Sequence, residues 1–507
     1  MTSRRVSLSY MLFTPALAFV SHRAIAGSHT TPLPGPSYLT QPGTTELPPR
    51  YSPPRGPNAI LRLAYWNEVG LRAIAFDAAP HFPGQRPFGF DERGPTRASR
   101  AMAIVQIAIF DALNAIRKQY PSYSGPLPAF PDSSPDAAIA QAAHDTLVVL
   151  FPRQTGRFDQ WLRDDLGCLP GGRATLNGID VGRRAAAAIL ALRENDGFYQ
   201  DDPLVGVDYP LYTQPGLWRP DPVSKNPIAL GSYWGHVEPF VVQLNTQFRA
   251  PPPPARSSSA YTNAFNEVKQ LGGDGITTPT SRMPDQTVAG IYWGYDGGAW
   301  IGTRPRQYNQ IAVQLALART TDPLDLAHVL AMINAAMADA AICAWDSKYY
   351  YRFWRPVTAI REASPGSGPT GRGDGNLNTI GDPNWFPLGA PASNLIGPNF
   401  TPPFPAYPSG HATLGSATFQ ILRKFYGDGV RFTFVSDEYN GITRDNRGRV
   451  RPRLPRRYSS LSQAEEENGQ SRIYLGVHWQ FDKTAGMAMG RMIGDYVFEH
   501  GLVQPGN

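Results

Sequence analysis

Residues 471–482 read SRIYLGVHWQFD, a stretch in which an arginine precedes a histidine and a carboxylate follows it. Arg472 lies six positions before His478, and Asp482 lies four positions after it. We expect Gly476 to break the chain direction and a helix to begin near His478, which places His478 and Asp482 on one helix face. Asp482 can then orient the imidazole through one ring nitrogen and leave the other free to bind a ligand. The alternative is a histidine satisfied in the core.

Residues 348–356 read KYYYRFWRP and bring two long cations close together. Lys348 and Arg355 are seven positions apart, so on one helix they point in nearly the same direction and can converge on a single anion. Pro356 is expected to end that helix. The alternative is a solvated basic stripe, although the aromatic residues between the two cations argue against full exposure.

Residues 404–415 read FPAYPSGHATLG and are expected to begin a helix, whose free backbone N–H groups form a natural anion site. Gly410 allows an anion to approach the backbone, Ser409 offers a hydroxyl donor, and His411 is a candidate acid or base. The alternative is that Ser409 is an ordinary N-cap residue and that His411 is merely its neighbour.

Together the three stretches offer three cations, one hydroxyl, one glycine amide and two histidines. That set suits a tetrahedral oxyanion, because cations and N–H donors neutralise its oxygens while one histidine reaches the central atom. The sequence contains no Gly-x-x-x-x-Gly-Lys-Ser/Thr, His-Glu-x-x-His or Gly-x-Ser-x-Gly motif. Its two cysteines, Cys168 and Cys343, form no metal-ligand pattern, and we expect Cys343 to be a buried free thiol.

The composition is that of an ordinary globular protein, with 42% apolar residues in a chain of 507. Residues 1–26 begin with Arg4 and Arg5, continue with an apolar stretch and end in Ala24-Ile25-Ala26, the layout of a secretory signal peptide. We therefore expect export to the periplasm or the medium; the alternative is a plain N-terminal tail. Removing this segment takes away three arginines and no acid, so the net charge falls from +6 to +3, which argues against a nucleic-acid partner.

Apolar residues recur at helical spacing along most of the chain, and strand signals are scarce. We predict an all-α fold of helix bundles, two four-helix bundles joined by long Pro/Gly-rich loops, with no stable membrane span. A Pro-rich arm (27–58) precedes an N-terminal helical half (59–285) that is rich in loops from about residue 197. The C-terminal half (286–507) carries the candidate site. The predicted helices span 59–78, 96–119, 136–166, 177–195, 284–299, 305–319, 323–353, 411–426 and 478–499.

In their order, the three stretches resemble the signature shared by vanadium-dependent haloperoxidases and type 2 phosphatidic acid phosphatases: Lys-x6-Arg-Pro, Pro-Ser-Gly-His and Ser-Arg-x5-His-x3-Asp. Within that superfamily the chain looks most like vanadium chloroperoxidases. The resemblance includes YWGYDGGAWIGTRPRQYNQIA (292–312), AWDSKYYYRFWRPVTAIRE (344–362), LGAPASN (388–394) and PPFPAYPSGHAT (402–413). The phosphatases are usually much shorter single bundles, so the length of this chain favours the haloperoxidases.

The resemblance implies one vanadate per chain, with His478 as the protein ligand of the vanadium through a ring nitrogen. The residues implied to hold the vanadate oxygens are Lys348, Arg355, Ser409, Gly410, His411 and Arg472. His411 would act as acid or base when peroxide binds, Lys348 would polarise that peroxide, and Asp482 would orient His478. The vanadium would act as a Lewis acid without changing its oxidation state.

The resemblance also implies a halide pocket and a supporting carboxylate. Trp345 and Phe404 match positions that line the halide pocket of chloroperoxidases, whereas bromoperoxidases typically have histidine at the position of Phe404. This match favours chloride, with bromide and iodide as easier substrates; the alternative is that both are core aromatic residues. Asp296 matches a carboxylate that pairs with the cations of the site, and buried cations need such balance.

The first hypothesis is therefore a vanadium-dependent chloroperoxidase that uses hydrogen peroxide to oxidise halide to hypohalous acid, with small organic molecules as further acceptors. The second is a phosphomonoesterase in which His478 forms a phosphohistidine and His411 protonates the leaving group. The third is a non-catalytic oxyanion-binding helical protein, which would have no use for an acid or base such as His411.

Overall fold

The computed structural model describes residues 52–78, 91–92 and 94–502. The predicted signal peptide (1–26) and most of the predicted Pro-rich arm lie outside these ranges. The described part contains thirteen α-helices and two small two-stranded sheets, which confirms the predicted all-α class. The helices are α1 Ala59–Asp77, α2 Gly94–Arg117, α3 Pro135–Leu150, α4 Thr155–Leu166, α5 Arg173–Leu192, α6 Ser259–Leu271, α7 Pro284–Tyr292, α8 Arg304–Leu317, α9 Pro323–Tyr351, α10 Pro356–Glu362, α11 Gly410–Tyr426, α12 Leu461–Tyr474 and α13 Gln480–His500. The strands are β1 Asp296–Gly298, β2 Gly302–Thr303, β3 Phe432–Asn440 and β4 Arg453–Tyr458.

Polar caps and prolines determine where many of these helices begin. The side chains of Asn58, Ser134 and Asp322 accept backbone N–H groups in the first turns of α1, α3 and α9. Pro152 accounts for one error of the prediction, because it begins a short 3-10 turn after α3 and divides the single helix expected at 136–166 into α3 and α4.

The helices form two groups around their apolar faces. In the first, α1, α2, α3 and α5 pack on one another; in the second, α9, α11 and α13 pack together and are flanked by α8 and α12. α2 lies against α9 and joins the two groups. α2 and α9 are also long and apolar enough to span a membrane, but 94% of the apolar window of each is buried inside the protein, as in the core helices of a globular fold.

Three helices lie where none was predicted. α6 falls in the stretch that we expected to be rich in loops, and it packs against α10, α12 and α13. α10 begins at Pro356, because proline is favoured in the first turn of a helix as well as after its end. α12 reads LSQAEEENGQSRIY, in which polar residues hide the apolar periodicity. The boundary between two halves near residue 285 remains a prediction.

Both cysteines are free thiols within the described part of the chain. Cys343 is buried in α9, and Cys168 is half-buried just after α4. The expectation of a buried free thiol at Cys343 is thus confirmed. Burial raises the pKa of the Cys343 thiol well above its usual value, so it stays protonated and unreactive.

Candidate active site

The end of α9 and the start of α10 position the first two cations. α9 ends at Tyr351 because Arg352 takes a left-handed conformation (φ 51°), and Arg355 is the N-cap residue of α10. The prediction that Lys348 and Arg355 lie on one helix is therefore wrong. The turn between α9 and α10 brings both into the buried site. Burial lowers the pKa of Arg355 to about 9. Burial, followed by the charge of Arg355, lowers the pKa of Lys348 well below its usual range.

Backbone carbonyls hold both cations in place. Lys348 Nζ donates to three carbonyls of the loop before α11, those of Pro405 (2.8 Å), Ala406 (2.9 Å) and Pro408 (2.5 Å). Arg355 donates through Nε to the carbonyl of Phe404 (2.9 Å) and through Nη1 to that of Val477 (2.8 Å). Its Nη2 is buried and has no hydrogen-bond partner among the described residues. Arg355 thus has one N–H group that no described protein atom accepts.

His478 lies two residues before α13 rather than in its first turn, and Gly476 (φ 72°) turns the chain ahead of it, as expected. The predicted contact forms nevertheless, because His478 Nδ1–H donates to Asp482 Oδ2 at 2.8 Å. With the proton assigned to Nδ1, the lone pair of Nε2 faces Arg355 Nη1 at 3.0 Å. Burial and the charge of Arg355 lower the pKa of His478 well below its usual value, so the ring is neutral. Burial raises the pKa of Asp482 to about 7.

The start of α11 lies against α9 at the same site. Ser409 Oγ accepts the N–H of Ala412 (3.3 Å), which is the contact of an ordinary N-cap residue. Gly410 is the first residue of α11, and a Cβ there would lie 2.7 Å from the ring of Trp345 and 3.5 Å from the Lys348 side chain. The absence of a side chain at Gly410 is therefore what lets the two helices approach.

Trp345 and Phe404 form an aromatic wall beside the cations. Their ring centroids lie 4.8 Å apart, and Lys348 Nζ lies 5.6 Å from the first centroid and 5.1 Å from the second. Arg355 Cζ lies 4.9 Å from the centroid of Phe404. Both aromatic residues are buried. They are core residues that also contact the cations, so the two alternatives of the sequence do not exclude each other.

Asp296 connects two arginines on the other side of the site. Its Oδ1 accepts hydrogen bonds from Arg472 Nη2 (2.9 Å) and from Arg304 Nη2. Arg472 is fully buried in α12, and neither its Nε nor its Nη1 has a hydrogen-bond partner in the part of the chain that the structure describes. Asp296 therefore pairs with Arg472, one of the predicted site cations.

The ring of His411 is hydrogen-bonded to two residues that were not among the predicted site residues. Its Nδ1 accepts a hydrogen bond from Arg304 Nε (2.5 Å), and its Nε2 lies 2.6 Å from Asn468 Oδ1. Burial, and then the charges of Arg472 and Arg304, lower the pKa of His411 well below its usual value. The ring is neutral with both nitrogens engaged, so among the described contacts it bonds to neither Lys348 nor His478.

Two residues of this site escaped the sequence analysis. Arg304 lies within the quoted stretch 292–312, and an available signal was its place next to Pro305, since a proline in the first turn predicts that a helix begins there. Asn468 lies four positions before Arg472, so on any helix the two share one face. Because no helix was predicted for the residues before Gly476, the sequence analysis did not draw that inference.

Comparisons with known proteins agree with the resemblance seen in the sequence. The family model described as the VCPO second helical-bundle domain matches residues 328–504. The vanadium chloroperoxidase of Curvularia inaequalis is 30% identical, with the match covering 83% of this chain and 79% of that protein. The chain belongs to the vanadium-dependent haloperoxidase family.

Solved structures of bacterial haloperoxidases share the fold. A vanadium-dependent iodoperoxidase has a TM-score of 0.67 at 22% identity, and the match covers 87% of this chain and 96% of that one. The holo form of a vanadium-dependent chloroperoxidase has a TM-score of 0.59 at 17% identity, covering 85% and 97%. At these identities the likeness concerns the fold and leaves the halide of this haloperoxidase undecided.

The residues present fit the oxyanion that this family implies. In the described part, the cations Lys348, Arg355, Arg472 and Arg304 face the carboxylates of Asp296 and Asp482, and three guanidinium nitrogens lack partners there. Unpartnered buried donors cost free energy, and the oxygens of vanadate would accept their hydrogen bonds. Within the same residues no cluster of three or more His, Cys, Asp or Glu could hold a metal ion. The donor set therefore suits a metal held by one histidine and through its own oxygens.

Proposed function

We propose that the protein is a vanadium-dependent chloroperoxidase that oxidises chloride, and bromide more readily, with hydrogen peroxide to hypohalous acid. One observation carries the proposal: Arg355 lies 3.0 Å from Nε2 of His478, the charge of Arg472 also acts on that ring, and both guanidinium groups have buried donors without partners in the described chain. Vanadate bound there would supply a Lewis acid that activates peroxide. Small organic molecules would serve as further acceptors of the halogen.

The residues around this position would each have a different role in binding vanadate and activating peroxide. His478 would bind the vanadium through Nε2, because Asp482 holds the ring proton on Nδ1. The groups proposed to hold the oxygens are Lys348, Arg355, Arg472, the hydroxyl of Ser409 and the amide of Gly410. Lys348 would also polarise bound peroxide. His411 would serve as acid or base once it releases one of its present partners.

The proposal of chloride rests on Trp345 and Phe404. Their rings lie against Lys348 and Arg355, so a halide beside them would meet positive charge on one side and apolar surface on the other. Phenylalanine at position 404, where bromoperoxidases typically have histidine, supports chloride as a substrate.

The experiment uses protein prepared without phosphate and then supplied with orthovanadate. Peroxide-dependent chlorination and bromination of a diketone probe are measured for the wild type, for His478→Ala and for His500→Ala, a surface histidine of α13. Halogenation that requires vanadate, disappears in His478→Ala and persists in His500→Ala supports the proposal. Bromination without chlorination would contradict the assignment of chloride.

A phosphatase assay without vanadate tests the second candidate function. The hydrogen bond from His478 Nδ1 to Asp482 favours this candidate as well, because a nucleophilic histidine needs the same orientation. Hydrolysis of a phosphate ester without halogenation would replace the haloperoxidase by a phosphomonoesterase. No turnover in either assay would favour an oxyanion-binding protein.

We also propose that the enzyme is exported, on the layout of residues 1–26. N-terminal sequencing of the mature protein should begin at Gly27, after the Ala24-Ile25-Ala26 site. A mature protein that retains Arg4 and Arg5 would show that the segment is not a cleaved signal.

A further inference from the structure

Arg304 links the acid/base candidate of the site to its anion-binding side. It is the first residue of α8 and is buried. Its Nη2 donates to Asp296, which also accepts a hydrogen bond from Arg472, and its Nε donates to His411 Nδ1 at 2.5 Å. One planar guanidinium thus holds a carboxylate with one nitrogen and an imidazole with another, a geometry that lysine cannot reproduce.

These contacts determine where the ring proton of His411 lies. A guanidinium has no acceptor, so His411 Nδ1 must be the acceptor toward Arg304 and the proton must be on Nε2. Nε2–H then donates to Asn468 Oδ1 at 2.6 Å. The hydroxyl of Tyr308 lies 3.1 Å from the same oxygen. Tyr308 is four residues after Arg304, so both lie on one face of α8. Arg304 contacts Nδ1 of His411 directly, and Tyr308 contacts the Asn468 oxygen that faces Nε2.

We propose that Arg304 is a positioning residue with two roles. It holds His411 as the neutral Nε2–H tautomer. It also holds Asp296 so that this carboxylate occupies only one nitrogen of Arg472, and the other two can bind the oxyanion. The role of His411 in the reaction rests on the proposed function; its tautomer does not. While Arg304 is bound, neither ring nitrogen can accept a proton, because Nδ1 already accepts a hydrogen bond and Nε2 already bears hydrogen. His411 becomes a base only when the ring leaves Arg304.

The tautomer is tested in the full chain without vanadate. Selective 15N labelling of the nine histidines gives a small set of signals, and His411→Ala identifies the signal of His411. We expect a single Nε2–H tautomer in the wild type and a mixture or an Nδ1–H tautomer in Arg304→Gln. Arg304→Lys keeps the positive charge and should give an intermediate spectrum. Arg306→Gln is the matched control, because Arg306 is a buried arginine of the same helix that donates to Asp437.

Calorimetric titration with orthovanadate supplies the second readout. In Arg304→Gln we expect affinity to fall about tenfold, because Asp296 would turn toward the free donors of Arg472 and compete with the oxyanion. Arg306→Gln should bind as the wild type does. An Nδ1–H tautomer in the wild type, or an unchanged His411 signal in Arg304→Gln, would overturn the proposal. Failure of the wild type to halogenate would overturn the proposed function and leave the tautomer assignment standing.

Discussion

The two helical groups use buried charge in different ways. In the first group, Arg62 of α1 donates through Nε to Asp165 (2.7 Å), through Nη1 to Asp136, and through Nη2 to two backbone carbonyls at 3.1 Å and 3.3 Å. Every nitrogen of this buried guanidinium has a partner, and two carboxylates face one cation. Charge arranged in this way holds the fold together.

Around His478, in the second group, buried cations outnumber buried carboxylates. Arg355 and Arg472 are as deeply buried as Arg62, yet within the described residues three of their nitrogens have no hydrogen-bond partner. Four cations share two carboxylates around His478. Buried cations that are balanced make structure, and buried cations left unbalanced mark a site for an anion. This contrast with Arg62 agrees with the position that the three sequence stretches indicate.

The contrast is tested most directly by removing one arginine from each group. Arg62→Met leaves two buried carboxylates without their cation, and we expect it to lower the free energy of unfolding by about 3–5 kcal/mol. Arg472→Met removes one of several like charges and leaves Asp296 paired with Arg304, so its loss should be much smaller. Denaturant unfolding of both variants gives the two values.

For vanadate affinity we expect the opposite order of the two variants. Folded Arg62→Met should bind orthovanadate as the wild type does, whereas Arg472→Met should bind it far more weakly. Equal costs in stability for the two substitutions would break the distinction between balanced and unbalanced charge.

The next effect in size concerns the orientation of His478. Asp482→Asn removes the charge that holds the Nδ1 proton, and we expect vanadate affinity to fall about 10- to 100-fold, as for other partners of metal-ligating histidines. Calorimetry measures it. Asp495→Asn, on the same helix but bonded to Gln420 and Lys424, is the control and should leave the affinity unchanged. An unchanged affinity in Asp482→Asn would mean that Nε2 of His478 is not the ligand.

Close packing at the start of α11 gives a smaller effect on stability. In Gly410→Ala the new Cβ would meet the ring of Trp345 at 2.7 Å, and we expect a loss of about 1–3 kcal/mol from overpacking. Gly429→Ala is the matched control, because a Cβ there has no neighbour within 4 Å in the described structure, and its effect should stay within about 0.5 kcal/mol. Thermal unfolding of the two variants decides; equal shifts would show that α9 and α11 are not in tight contact.

The smallest effect comes from a histidine where the two groups meet. His328 of α9 lies 5.5 Å from the rings of both Phe110 and Phe425, and burial lowers the pKa of His328 from its usual 6.5 to about 4. The unfolded chain therefore takes up the proton first, so this contribution to stability is complete above pH 6.5 and is lost as the pH falls toward 4.

Between pH 7 and pH 6 we expect His328 to account for a loss of about 0.7 kcal/mol. Urea unfolding at the two pH values, compared with His328→Phe, isolates that difference because phenylalanine keeps the ring and does not titrate. The same replacement of His500, an exposed residue of α13, is the control substitution. Identical dependence in the wild type and His328→Phe would show that His328 titrates normally.

Local rules were enough for some parts of this molecule. Helical periodicity located α1, α2, α9 and α11, and the spacing of His478 and Asp482 predicted their hydrogen bond even though His478 precedes the helix. The bond survives because a carboxylate in the first turn can reach back to the residues before the helix. The same rules placed Arg355 on the wrong helix and missed α12. The turn between α9 and α10 does not interrupt the aromatic stretch, and α12 is too polar to show a helical period of apolar residues.

The sequence by itself determined the chemical inventory: two histidines, the cations near them, a helix start at Gly410, and enough motif spacing to indicate the haloperoxidase family. Only the tertiary structure decided how these groups meet. Arg304 and His411 are 107 residues apart, and no spacing rule connects them. Their contact exists because α8 and α11 pack on each other in the second helical group. Which cations keep free donors is decided in the same way, since hydrogen-bond partners in a core come from segments distant in the chain.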